Sequence, residues 1–224
     1  MTAKEKIMSA FLRLCEDTLS DAGNVSLPPL PRMIFVVHGA AAIGGQTVRD
    51  GETWSGEGAV AVEAGDEGAT LWRWELAKSE IGGAVAGPGV VSREKLTARL
   101  DTIPKGPLLL RGDSVAFPPG GCAYRHRHQG PGIRCLIEGG IRIDTHDHST
   151  SYGPGCPWYE SGPDPVFAQG AADRPTRFIR VMILPASYLG KSSVEYLNEE
   201  DKAKPKSQQY KIFVDLPLGV DVSR

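Results

Sequence analysis

Two histidines one residue apart, in the run Tyr124-Arg125-His126-Arg127-His128, are the side chains of this 224-residue chain best spaced to do chemistry together. In a strand, residues two apart leave the same face, so His126 and His128 project side by side, about 7 Å apart at the backbone. Two imidazoles placed like that can converge on one metal ion at about 2.1 Å each. The alternative is a surface strand with incidental histidines. H-x-H alone is common, and the two readings are evenly matched on this motif. Tyr124 is expected on the same face, lining a pocket or packing in a barrel wall, with Arg125 and Arg127 on the other.

Glu160 is the first choice for a third ligand. Two His and one carboxylate form the facial set of many non-haem Fe(II) oxygenases, which leaves positions for O₂ and substrate. Its plainer role would be to cap backbone groups or to pair with an arginine. Glu138, at a strand end, and Gln129, in a Gly-Pro loop, are weaker choices. Arg134 follows the histidines on the next strand. Pointing inward, it would counter a substrate carboxylate or phosphate, or pair with Glu160. An inward arginine also argues against a dication beside it, and so for a metal-free, anion-binding site. His146 and His148 form a second H-x-H, but THDHSTSYGPG reads as a solvated hairpin loop, and His38 reads as structural. Trp54, Trp72, Trp74 and Trp158 read as core or contact aromatics. The sequence has no G-x-x-x-x-G-K-[ST], G-x-S-x-G or H-E-x-x-H motif.

The elements that must carry these residues are mostly strands. The 27 Gly and 17 Pro fall between short apolar runs, which calls for many turns and an all-β domain. MIFVVHG, GAVAVEAG, ATLWRWELA, PLLLRGDSVAFPPG, AYRHRH, GIRCLIEGGIRID and TRFIRVMILP read as strands, rich in β-branched and aromatic residues. Residues 4–19 place Ile7, Met8, Phe11, Leu14, Cys15 and Leu19 at helical spacing, which predicts an amphipathic helix, and SREKLTARLD (92–101) is a short helical possibility. The run YKIFVDLPL (210–218) predicts a late strand that covers a sheet edge, this chain's or a partner's. The two β blocks also resemble each other. In each, an apolar strand ends at a Gly (Gly39, Gly139), a Gly-x-x-Trp step follows (Gly51 to Trp54, Gly155 to Trp158), then a Glu (Glu57, Glu160) and a long apolar strand.

The run Phe117-Pro118-Pro119-Gly120-Gly121-Cys122-Ala123-Tyr124-Arg125-His126-Arg127-His128, followed by GIRCLIEGG, resembles the first motif of the cupin superfamily: a Gly-rich turn leading into H-x-H, then a strand ending at a Gly. Gly155-Cys156-Pro157-Trp158-Tyr159-Glu160 with Gly162-Pro163-Asp164-Pro165 approximates the second. The resemblance is clear over about residues 108–185 and weaker over 33–77. It implies an all-β fold, a double-stranded β-helix (jelly-roll) barrel, here with an N-terminal helix and an extended C-terminal tail. The chain looks like a compressed bicupin. Residues 1–30 would be helix and linker, 31–107 a degenerate unit, 108–185 the unit with H-x-H, and 186–224 the tail. Two of the four family ligands match. The family Glu position holds Gly132 or Ile133, and the second-motif His position holds Val166 or Phe167.

The resemblance implies a divalent metal ion, Fe(II) first, with Mn, Ni or Zn as alternatives, and a homodimer. Three functions follow: an oxygenase acting on an organic acid, phenol or diketone; a metal-dependent lyase or isomerase; and a non-catalytic cupin that binds an anion or small ligand. A formal net charge of -2, from 25 Lys and Arg against 27 Asp and Glu, gives no electrostatic case for nucleic acid or an anionic membrane. The partner expected is a small molecule. Cys15, Cys122, Cys135 and Cys156 lack paired spacing, which with no apolar span or leader pattern suggests free thiols in the cytoplasm. A Cys122–Cys156 disulfide is an alternative that the spacing does not call for.

Overall fold

Apolar runs cut every few residues by glycine and proline fold as antiparallel strands joined by tight turns. The computed structural model, which describes residues 10–219, is built in this way. The first half contains β1 (Phe11–Leu19), β2 (Asn24–Leu27), β3 (Arg32–Ile43), β4 (Gln46–Arg49), β5 (Thr53–Gly56), β6 (Val60–Ala77) and β7 (Val90–Arg99). The second contains β8 (Leu108–Phe117), β9 (Cys122–His128), β10 (Gly132–Glu138), β11 (Ile141–Thr145), β12 (His148–Tyr152), β13 (Pro157–Glu160), β14 (Val166–Gly170) and β15 (Thr176–Pro185). β16 (Val194–Tyr196), a short helix α1 (Glu199–Ala203) and β17 (Gln209–Pro217) follow.

The first half forms one sheet in the order β4-β3-β6-β1-β7, with β5 on β3 and β2 on β6. The second forms two five-stranded sheets, β13-β10-β15-β8-β17 and β12-β11-β14-β9-β16. The halves follow one plan. A single long β3 pairs with a single long β6, and the second half splits that path into β10 then β11 against β15 then β14. Register aligns the copies. Ile34 lies between Arg73 and Trp54, and Arg134 lies between Arg180 and Trp158. Two residues earlier, Arg32 lies between Glu75 and Gly56, and Gly132 lies between Met182 and Glu160. The counterpart of Glu160 is therefore Gly56, one residue before the Glu57 that sequence spacing suggests. The counterpart of His126, opposite Val166, is Leu27, opposite Val60.

Gly39 and Gly139 turn the chain at equivalent places, with φ of 81° and 82°. A Cβ at Gly139 would stand 2.3 Å from the Pro175 carbonyl oxygen. We expect Gly139→Ala to cost about 1–3 kcal/mol from the backbone conformation alone, and more from that clash. A urea midpoint lowered at unchanged m-value is the check, and an unchanged midpoint would refute it.

The halves share a core. Leu12, Leu14, Met33, Phe35, Trp72 and Trp74 of the first pack with Ile133, Cys135, Ile179, Val181 and Ile183 of the second. Phe11–Leu19 is a central strand between β6 and β7, and not the helix that apolar spacing predicts; residues 4–9 lie outside the described residues. Both faces of β1 are buried, which erases strand alternation. The charges that suggest an exposed helical face are buried too: Arg13 is 4% and Asp17 1% exposed. Arg73 pairs with both Asp17 and Glu75, and Glu75 also meets Arg13 and Arg32. Fixed ion pairs thus occupy the interior of the first unit near where the second holds its histidines. Residues 90–99 are likewise the strand β7, not a helix.

After residue 185 the chain crosses back over the second unit. β16 covers the edge of β9, and β17 covers the edge of β8, so the late strand protects its own chain's sheet. All four cysteines are free, which leaves Cys122 and Cys156 unbridged. Among the described residues no helix is long and apolar enough to cross a membrane.

Candidate functional site

His126 and His128 both turn into the second barrel, 6% and 4% exposed. Strand alternation delivers them there, and a bulge sets the phase. Ala123 pairs with Ala168 and His126 with Val166, so β9 carries an extra residue between them. The same bulge expels Tyr124. Instead of sharing the face of the histidines, its ring lies on the outer surface with the Lys204 and Lys206 ammonium groups 4.9 and 5.4 Å from its centroid. Tyr124 contributes through its backbone. Its carbonyl accepts a hydrogen bond from His126 Nδ1–H at 2.7 Å, which leaves Nε2 of the neutral ring bare and aimed inward.

That Nε2 lies 3.2 Å from His128 Nε2, with the rings nearly perpendicular at 84°. Glu160 Oε2 lies 3.5 Å from His128 Nε2. Glu160 reaches in from β13 as the cross-strand partner of Gly132. Its other oxygen, Oε1, accepts a hydrogen bond from Trp158 Nε1 at 2.8 Å. Arg134, 1% exposed, points inward, donates from Nη1 to the Gly132 carbonyl at 2.7 Å, and holds Nη2 2.8 Å from Glu160 Oε2. Despite that closeness, Arg134 Nη2 and Glu160 Oε2 are both buried without a well-angled hydrogen bond, and so is His128 Nδ1.

Arg180 and Asp113, which sequence reasoning missed, complete the wall with a two-pronged ion pair at 2.7 and 2.9 Å. Tyr210 of β17 covers it, its ring centroid 5.7 Å from the guanidinium. The readable signal was a charge inside each of two otherwise apolar runs, LLLRGDSVAF and FIRVMILP. A buried charge needs a partner, so two such strands had to meet. Glu138 and Gln129 face elsewhere, toward Arg177 and Glu195. His146 lies in the β11–β12 hairpin turn beside Asp164, and His38 is exposed beside Asp50.

The void at His126 and His128 is about 20 Å³, lined among others by both histidines, Glu160, Arg134, Arg180 and Tyr210. That is room for one water or one ion. A cleft of about 230 Å³ adjoins it and shares Glu160, Ile143 and Val166 as walls. Burial is the main cause that pushes both imidazoles below the usual histidine range, His128 further, with Arg134 and Arg180 adding to it. Burial likewise pulls the Arg134 guanidinium down to about 10.

Below pH 6.5 the unfolded chain takes up protons that these two folded histidines refuse, so stability is full above pH 6.5. It is lost as pH falls toward and through the lowered values. We expect a slope of at most about 1.4 kcal/mol per pH unit for each histidine. Urea unfolding of the metal-free protein at pH 7.5 and 5 checks it, and His126→Ala/His128→Ala should flatten the slope. A stability higher at pH 5 would contradict the assignment.

Ligand atoms about 2.1 Å from a common ion lie about 3.0–3.4 Å apart, so the 3.2 Å between the Nε2 atoms, now a hydrogen bond that His128 Nε2–H donates to His126 Nε2, would suit one cation in place of that proton. Glu160 Oε2, without a well-angled partner, is the carboxylate within reach. Among the described residues no group of three or more His, Cys, Asp or Glu side chains is placed to hold a metal ion. The two imidazoles have the spacing for a shared cation, while the nearby carboxylate of Glu160 lies against Arg134.

No protein-family profile matches the chain, and no curated protein matches it in sequence. Solved structures do match in shape. One mutant of Bacillus subtilis oxalate decarboxylase OxdC superposes with a TM-score of 0.61 at 12% identity, over 86% of this chain and 73% of that one. A W-to-Y variant of the same enzyme gives 0.58 at 14%, with the same coverage. AerE from Microcystis aeruginosa gives 0.58 at 12%, over 78% of this chain and 88% of that one. At such identities the likeness establishes the fold.

Proposed function

We propose that this chain, which has the cupin fold, binds one divalent metal ion through His126 and His128 with Glu160 as the carboxylate, and acts on a small organic acid, phenol or diketone as an oxygenase. The observation that carries the reading is the pair of inward Nε2 atoms 3.2 Å apart, beside a void the size of an ion. Bound there, Fe(II) would supply a redox centre for O₂ chemistry, and Mn(II), Ni(II) or Zn(II) a Lewis acid.

The chain's own groups do the rest. The Tyr124 carbonyl fixes the His126 tautomer. Trp158 orients Glu160. Val115, Phe117 and Phe178 help keep the void free of bulk water. Arg134, whose Nη2 lies 2.8 Å from Glu160 Oε2, would take an anionic group of a ligand. A homodimer is proposed on the resemblance alone, and light scattering would test it.

A specific observation favours a second reading. The Arg134–Glu160 contact suits a metal-free cupin that binds an anion. The deciding experiment is elemental analysis of protein loaded separately with Fe(II), Mn(II), Ni(II) and Zn(II). About one ion per chain supports the metal reading. O₂ consumption by the Fe(II) form then separates an oxygenase from a lyase or isomerase, which needs no O₂. No bound metal, with thermal stabilisation by small anions, would move the function to the second reading.

A further inference from the structure

We infer that the second unit carries a further binding site, for a small monocarboxylate with an apolar body, in a cavity apart from the histidines. The cavity is about 210 Å³ and lies between β17 and the loop that leads into β16. Its walls include Arg111, Asp113, Arg180, Ser193, Tyr210 and Ile212, and do not include His126, His128, Arg134 or Glu160. Arg180 and Tyr210 line both this cavity and the void at the histidines, and so form the partition between them. The loop is held in advance. Arg111, 2% exposed, donates to both Asp215 oxygens at 2.7 Å, to the Lys191 carbonyl at 2.5 Å and to the Tyr188 carbonyl at 2.8 Å. The Gly190 N–H meets Asp215 Oδ2 at 3.0 Å. A wall already fixed need not be ordered when a ligand arrives.

Charge sets the sign of the ligand. Arg180 is paired with Asp113 and Arg111 with Asp215, so both buried guanidinium groups are balanced. Lys191, also in the wall, has no carboxylate partner among the described residues, which leaves one positive charge in excess. A monoanion cancels it, a dianion overshoots, and a cation is repelled. Ser193 is the second observation. It is 3% exposed, and its hydroxyl has for partner the Met182 sulfur at 3.8 Å, a weak acceptor. A carboxylate oxygen in the cavity would be the full acceptor that a buried hydroxyl ordinarily has. The strand β17 then sets the body of the ligand. Tyr210 and Ile212, two residues apart, leave it on one face and line the cavity with Val194, yet stay 47% and 48% exposed. An apolar group seated against them would take that surface out of water.

The test is calorimetric titration of the metal-free protein with benzoate, beside benzamide as the neutral isostere and acetate as the charge without the body. We expect one benzoate per chain, bound about tenfold or more tighter than either control. Lys191→Met should weaken benzoate by about fivefold. Ile212→Glu, which sets a carboxylate at the mouth of the cavity, should abolish binding. Both positions are exposed, so both variants should keep the native urea midpoint. His126→Ala/His128→Ala should bind benzoate as the native chain does. Benzoate lost from that double variant but kept by Lys191→Met and Ile212→Glu would place the anion at the histidines and overturn the inference. Benzamide binding as tightly as benzoate would overturn it too, and so would no benzoate binding at all. None of these outcomes depends on whether a metal binds, which elemental analysis decides separately.

Discussion

Arg180→Ala should destabilise the protein by about 3–5 kcal/mol, and Asp113→Ala by a similar amount. Arg180 and Asp113 are 4% and 2% exposed, joined by two N–H···O bonds at 2.7 and 2.9 Å. Removing either strands a charge in the barrel. The loss of Asp113 would leave the guanidinium facing Arg134 and two imidazoles that burial keeps neutral. The loss of Arg180 would also take the cation from under the Tyr210 ring and loosen β17, the strand that covers the β8 edge. Replacing both together, as Arg180→Met with Asp113→Leu, should recover most of the stability, because the cost lies in the unpaired charge. Urea midpoints at unchanged m-value give the answer. Single losses below about 1 kcal/mol would show that solvent reaches the pair. Arg174→Ala is the control, since the Arg174–Asp173 pair lies in full solvent and should leave the midpoint where it was.

Legibility followed the physics of each position. H-x-H was readable because period-two geometry is local, and nothing beyond β9 is needed to put two imidazoles on one face. The duplicated plan was readable from turns, because Gly39 and Gly139, and Gly51 and Gly155, hold left-handed backbone at matching places. Tyr124 was misplaced because a bulge leaves no mark in composition, and one extra residue reverses the phase of everything before it. β1 was misread for a different reason. A strand buried on both faces does not alternate, and its charges look solvated until Arg73 and Glu75 are seen beside them. Arg180 and Asp113 join residues 67 apart, so no local pattern could pair them, although their apolar surroundings announced that each needed a partner.

His126→Ala/His128→Ala should abolish metal binding and leave the barrel folded, and both halves of that statement carry weight. The two Nε2 atoms are the neutral donors facing the void, so their loss leaves Glu160 as one carboxylate, already engaged by Trp158 and Arg134. One such oxygen beside a guanidinium cannot hold a dication, and metal content should fall from about one ion per chain to background. The fold should persist for a countable reason. The pair gives up a single bond to the protein backbone, from His126 Nδ1–H to the Tyr124 carbonyl, about 1 kcal/mol. His128 Nδ1 already lacks a partner. The remaining cost is packing, and β9 stays held by β14 and β16. Elemental analysis beside the far-UV spectrum and urea midpoint separates the two effects. Metal retained by a folded double variant would place the ion elsewhere and remove the two imidazoles from the site. Metal lost from a protein that still melts cooperatively would assign the ion to them, and Glu160→Gln would then report what the carboxylate adds.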